Sequence, residues 1–196
     1  MRAFIKPFLC SSLLLMPTYN SHAETHQAID QAQLKTEAKK VIQSLAKHLG
    51  GELKKAAKSG GLPAAIEVCN TQAAPITAQV AKDSGWQVAR TSLKLRNPSN
   101  TPDAWEKVVL EKFAQQASKG ANLKTLAYSE VLTDNHGNKT FRMMKAIPVG
   151  EKCLACHGSQ LKPGISQKLS QLYPSDNAQG FKSGDLRGAF TLQKTL

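Results

Sequence analysis

Beyond its first 23 residues this 196-residue sequence has no apolar run approaching the roughly 20 residues of a membrane-spanning helix. Internal repeats, low-complexity tracts and interdomain linkers are also missing, which excludes solenoid and multidomain organisation. No nucleic-acid motif is found, and the 26 Lys and Arg, against 14 Asp and Glu, are scattered rather than clustered. Methionine occurs only at Met1, Met16, Met143 and Met144, so the last quarter of the chain offers no thioether ligand. Cysteine is as scarce, with Cys10, Cys69, Cys153 and Cys156.

The N-terminus reads as an export signal. Arg2 and Lys6 give the positive region, Phe8, Leu9 and Leu13 to Met16 lie in a short apolar core, and Ser21-His22-Ala23 gives small residues at minus three and minus one. Cleavage after Ala23 places the protein in the periplasm and takes Cys10 away with the signal (1–23). The remaining 173 residues, 24–196, form one expected domain with 24 basic and 14 acidic residues, a net charge of +10. A domain near 150 residues buries roughly 68–70% of its unfolded surface, enough for a real core. The positive surface favours encounter with an acidic or membrane-associated redox or signalling partner, and export excludes nucleic acid.

The sharpest local signal is Cys153-Leu154-Ala155-Cys156-His157. The pattern C-x-x-C-H is that of covalent c-type haem attachment: each thiol adds across one vinyl group, and the adjacent imidazole reaches the iron from the same side. One covalent haem c is the expected cofactor. Cys69 is then left alone in an oxidising compartment. Leu62, Ala65, Ile66 and Cys69 fall at helical spacing and turn the sulfur toward an apolar stripe. Two readings stand at this point, a small buried hydrophobe or a thiolate sixth ligand to ferric iron. The motif's place excludes the common small carriers, in which it comes early and a downstream methionine ligates, since Met143 and Met144 precede it. A bundle with the motif in its last helix fits poorly, because 39 residues follow His157.

Periodicity predicts an α+β fold. Leu34, Ala38, Val41, Ile42, Leu45 and Leu49 mark a long amphipathic N-terminal helix, interrupted or ended near Gly50-Gly51 and resuming to Ser59-Gly60-Gly61. A short helix carries Cys69, another runs from Ala74 to Lys82, and Trp86 to Leu95 reads as a strand. Thr101 is the expected N-cap of the next helix, with Pro102 at its first position and an end near Ser118. Thr125 to Thr133 and Lys139 to Val149 flank a glycine-containing turn as a hairpin, with Phe141, Met143 and Ile147 on one face of the second strand and Arg142 and Met144 on the other. Ile165, Leu169 and Leu172 give a short helix before Pro174, and Leu186, Phe190 and Leu192 alternate along a last strand.

Further blocks carry a family resemblance. They are Cys69-Asn70 with Ala74-Pro75, Arg90 to Pro98 with Asn100, Pro102 to Glu106, Cys153 to Gly158, Tyr173-Pro174, and Gly184 to Ala189. In this order, over nearly all of residues 24–196, the sequence resembles the monohaem c-type sensor-domain family with a PAS-like fold. The resemblance implies a PAS-like antiparallel sheet with flanking helices, one covalent haem, and a histidine/cysteine axial pair: His157 proximal and Cys69 distal. Among rival ligands, His136 sits in a polar turn, His48 on a helix surface, His26 in a frayed terminus, and Met143 on an apolar face where core is the usual outcome. Arg90, Arg96, Arg142 and Arg187 are candidates for pairing haem propionates.

The function expected is redox or gas sensing, or low-potential electron transfer, rather than catalysis. Thiolate ligation favours ferric iron, and release of Cys69 on reduction would open a position for a diatomic gas. With no kinase or cyclase region in the chain, a signal passes through a partner. A peroxidase-like enzyme would show a second haem motif or a distal acid/base pair, and neither is found. A closed zinc site of Cys69, Cys153, Cys156 and His157 uses suitable ligand types and stays open on sequence alone.

Overall fold

The computed structural model describes Met1 and residues 30–196, so the expected signal and His26 lie outside the described residues. Helix α1 (Gln31–Thr71) starts at Asp30, whose carboxylate accepts from the Ala32 and Gln33 amides. It continues through Gly50-Gly51, contrary to expectation, and breaks at Gly60-Gly61, the second of the two expected places, where Gly61 has φ 70°. Glycine costs only about 1 kcal/mol inside a helix, so a glycine pair alone does not stop one. What distinguishes the second pair is Pro63, which lacks an N–H and belongs in the first turn of a new helical segment.

α2 (Ala73–Ser84) follows directly and ends on Gly85 in the left-handed region. Strand β1 (Gln87–Thr91) is shorter than predicted. The Ser92 hydroxyl ends it: it accepts from the Lys94 N–H at 3.1 Å and donates to the Arg187 carbonyl at 2.7 Å, turning Leu95 and Arg96 away from the sheet. α3 (Ala104–Ser118) is capped by Asp103 rather than Thr101, in a reciprocal box with Glu106. Pro102 therefore precedes the cap, because the Asp103 carboxylate and the Glu106 side chain together satisfy more of the free first-turn amides than Thr101 does.

The hairpin β2 (Ala127–Thr133) and β3 (Lys139–Pro148) is as expected. α4 (Leu154–His157), α5 (Pro163–Leu172) and β4 (Leu186–Thr195) complete the chain. The sheet is antiparallel, ordered β1-β4-β3-β2. The fold is thus α+β, a sheet with helices on both faces and a long N-terminal helix. None of the described helices is long and apolar enough to cross a membrane.

One face carries α1 and α2, with Leu34, Val41, Ile42, Leu45 and Val80 packed on Trp86, Phe141, Met143 and Leu192. The other carries α3, with Val109, Leu110 and Phe113 on Met144, Ala146 and Ala189. Met143 and Met144 are consequently both core, on opposite faces, and Met143 is no ligand. His48 and His136 are exposed, as expected.

The even alternation predicted for Leu186, Phe190 and Leu192 does not hold. Ile147 pairs with Gly188 and Pro148 with Leu186, so Arg187 is an extra, bulged residue. The bulge flips Leu186 onto the α3 face while Leu192 stays on the α1 face. Gly188 makes it feasible: a Cβ there would lie 2.3 Å from the Thr91 carbonyl oxygen. We expect Gly188→Ala to lower stability by about 1–3 kcal/mol in urea unfolding, because backbone and not a flexible side chain must move aside; an unchanged midpoint would refute this close approach.

Candidate functional site

Three segments converge at the bulged end of the sheet: the end of β1 with the turn after it, the motif at 153–157, and the bulged start of β4. They enclose a cavity of about 220 Å³ lined by Arg90, Arg96, Cys153, His157, Arg187 and Gly188, among others. A second hollow of about 160 Å³ lies beyond Arg96, against Asn70, Leu172 and Tyr173.

α4 presents the motif. Cys153 is exposed and Cys156 half-buried, both as free thiols, so they form no disulfide with each other. The Cys153 sulfur accepts weakly from the Gly150 N–H at 3.4 Å. Cys156 packs against Ile66, Ile165, Leu169 and Tyr173. Burial pushes its thiol pKa up.

The imidazole of His157 is held from behind. Nδ1 lies 2.7 Å from the Ala178 carbonyl, which can only accept, so Nδ1 carries the proton and Nε2 the lone pair. Phe181 stands edge-on to the ring at 6.2 Å. Burial, then the Arg96 and Arg187 guanidiniums, push the pKa of His157 down to about 4, which leaves it neutral at physiological pH. A neutral ring with an anchored tautomer is the ligating form of histidine.

Arg96 is the clamp of the site. Its Nη2 is 3.1 Å from the Asp176 carboxylate, and it also donates to the Cys156 and Ala178 carbonyls. Its Nη1 lies 3.5 Å from His157 Nε2. Burial opposes ionisation of Asp176, yet hydrogen bonds from the Gln179 amide, Arg96 and the Ala178 N–H outweigh it and keep the carboxyl below 3.8. The loop 174–185 is tied to its neighbours by Asn177 N–H to Leu95 O (2.7 Å) and Phe181 N–H to His157 O (2.9 Å).

Cys69 reaches this region by another route. Ile66, one turn earlier, is buried against Ile165, Leu169 and Tyr173. That contact brings the end of α1 beside α5 and sets Cys69 within electrostatic reach of Arg90, Arg96, Tyr173 and Cys156. The sulfur is not part of an apolar core as the helical spacing implied: the side chain is exposed, and Leu62 on the same stripe is 37% exposed. The kink at Gly60-Gly61 rotates the two halves of α1, so the stripe narrows to Ala65 and Ile66. Protein packed around the thiol raises its pKa, with Arg90 and Arg96 pulling the other way.

Of the four candidate arginines, Arg90, Arg96 and Arg187 line the cavity. Arg142 does not. It sits on the α3 face, 4.2 Å over the Trp105 ring, and pairs with Asp103 and Glu106. Asp176, Ala178, Ser92 and Phe181 have roles that sequence reasoning missed. The Asp176–Ala178 turn had a local signal, an Asx-type bond to the amide two residues on; the others depend on tertiary placement alone.

The donor set suits haem c: two free thiols on one turn, and a neutral imidazole with its bare nitrogen turned from its anchor. A closed zinc site is not formed, since no three of the described His, Cys, Asp and Glu residues group closely enough to hold a metal ion.

A family model described as Tll0287-like matches residues 19–194. Among solved structures, the chain is similar to a crystal structure of the cyanobacterial heme-protein Tll0287, at 26% identity and a TM-score of 0.54, over 84% of this chain and 93% of that one. No curated protein sequence matches it.

Asp176→Asn removes the only carboxylate on the Arg96 clamp among the described residues. We expect a loss of about 1.5–3 kcal/mol at pH 7, the scale of a hydrogen bond to a charged group. Because the folded carboxyl ionises at lower pH than the unfolded one, its contribution is complete above about pH 4 and is lost as pH falls through the folded value. Urea midpoints measured from pH 7 to pH 2 should fall less for the variant than for wild type; parallel curves would refute the ion pair.

Proposed function

Because the chain belongs to the Tll0287-like family, we propose that it is an exported, periplasmic monohaem c-type cytochrome domain. In this reading Cys153 and Cys156 hold the haem through thioether bonds, His157 is the proximal ligand and Cys69 the distal one. Its work is redox or gas sensing, or low-potential electron transfer to an acidic or membrane-associated partner. The observation that carries the reading is the pairing of two free thiols on one turn with an imidazole fixed by Ala178 as the neutral, Nε2-bare tautomer.

Bound there, haem supplies a one-electron ferric/ferrous couple. The protein residues decide where that couple sits. His157 needs no deprotonation before it ligates, since it is already neutral. Cys69 does: an ordinary thiol is protonated at neutral pH, and the protein packed around this one pushes its pKa up further, so ligation would release a proton. As a thiolate it places negative charge on the iron and favours the ferric state. Were Cys69 released on reduction it would take a proton back and leave its side of the site open to a gas, as a sensor requires; an electron carrier would keep Cys69 as its thiolate in both states.

The test is a spectroscopic and redox titration of mature protein from cells competent for cytochrome maturation, with Cys69→Ala beside wild type. Both should carry the mass of one covalent haem. The variant should show an altered oxidised spectrum and a midpoint potential raised by a sizeable part of the roughly 0.8 V that axial ligands span. Identical spectra and potentials would remove Cys69 from the site; colourless wild type at its bare mass would end the haem reading. Carbon monoxide binding by reduced wild type selects sensing, and refusal selects electron transfer.

A further inference from the structure

Within the cavity beside His157 the positive charges are far from balanced. Arg90 from β1, Arg96 from the turn after it, and Arg187 from the β4 bulge all line it. Asp176 is the one described carboxylate paired with any of them, and Arg96 takes it. Arg187 bonds only neutral oxygens, the Ser92 hydroxyl at 3.0 Å and the Lys94 carbonyl at 3.1 Å. Arg90 makes no hydrogen bond or ion pair among the described residues, although protein surrounds it enough to lower its pKa. Arg187 is pushed down to about 10, by burial first and then by Arg96 and Arg90. Guanidiniums crowded and partly desolvated without counter-ions are costly, and that cost is removed when a bidentate anion enters.

We propose that Arg90 and Arg187 receive the two propionate carboxylates of the haem, and that Arg96 is reserved for holding the loop. This rests on the haem reading above and adds to it which residues would meet its two carboxylates. The stoichiometry agrees, two carboxylates for two guanidiniums without an acidic partner. The bulge has a purpose in this arrangement: by inserting Arg187 it directs a cation into the cavity that a regular strand would send elsewhere. Arg142 is no competitor, with two carboxylates of its own on the far face of the sheet.

Propionates gripped by guanidiniums stay ionised, so in wild type they add no slope of their own to the midpoint potential between pH 5 and pH 8; any slope from proton exchange at Cys69 is common to wild type and the arginine variants. The other charged groups around them are Arg96 and Lys94 on the turn after β1, Asp176 on the facing loop, and His157 on α4. Lys94 is occupied by the Gln179 carbonyl at 2.6 Å and lies over Phe181 at 4.7 Å. Asp176, held below its ordinary value by its hydrogen bonds, and His157, pushed down to about 4, do not titrate in that range.

The experiment is potentiometry of matured holoprotein at several pH values, for wild type, the double variant Arg90→Gln/Arg187→Gln, the charge-keeping Arg90→Lys/Arg187→Lys, and Arg142→Gln as control. We expect the glutamine pair alone to gain pH dependence across pH 5–8 beyond that of wild type, with the lysine pair and the control parallel to wild type. A glutamine-pair profile parallel to wild type with haem still attached overturns the proposal and leaves the haem reading intact. Wild type without covalent haem overturns the haem reading and this one with it. If the glutamine pair fails to mature, the lysine pair decides: a profile parallel to wild type supports the proposal, and a steeper one overturns it. The wild-type potential should also be the same in phosphate and in chloride at equal ionic strength, because a dependence on phosphate would mean that free anions, not propionates, occupy the guanidiniums.

Discussion

A helix of four residues lies far below the length at which helices persist by themselves, so Leu154–His157 keeps its shape only through what it touches. The controlling contact is the Ala178 carbonyl, which takes the Nδ1 proton of His157 and also receives the Arg96 guanidinium. Through it one loop sets the tautomer of His157 and the position of the clamp. Arg96 closes the circuit by donating to the Cys156 carbonyl as well, so the second thiol and the imidazole are fixed by the same cation. Loss of the loop would leave the motif chemically complete and geometrically undefined.

The sheet enters this account as a platform whose end is deliberately irregular. β1 stops early at the Ser92 turn, and β4 bulges at Arg187 beside it. The two irregularities are one feature, since the Ser92 hydroxyl bonds the Arg187 carbonyl and guanidinium together. A regular pair of strands would carry Arg187 on with its alternation and extend the ladder over the place where the cavity lies. Bulges are common where a side chain must be re-aimed near a site.

Cys69 is governed by a different part of the chain. The break at Gly60-Gly61 frees the last segment of α1 to follow α5 instead of the sheet, and Ile66 fixes it there. The helix is thereby two devices in series: its first half covers the sheet through Leu34 to Leu45, and its second half delivers a thiol toward the motif. Had the helix run straight, packing on the sheet would have dictated the direction of Cys69. The kink uncouples the two demands.

This separates what could be read from the sequence from what could not. The motif at 153–157, the hairpin and the one cysteine of residues 24–196 that lies outside the motif are short-range or arithmetic facts, visible without coordinates. Of the two helix breaks expected, that at Gly50-Gly51 is not formed, because glycine pairs look alike until Pro63 is weighed with the second of them. The cap of α3 was misplaced because Thr-Pro is a familiar start, yet Asp103 with Glu106 satisfies two amides at once. The arginines show the limit most clearly. Arg90, Arg96, Arg142 and Arg187 are indistinguishable by type and by neighbourhood in the sequence, and only tertiary placement gives Arg142 two carboxylates, Arg96 one, and Arg90 and Arg187 none. Function in such a site lies less in which charges are present than in which are left without a partner, and that is a property of the fold.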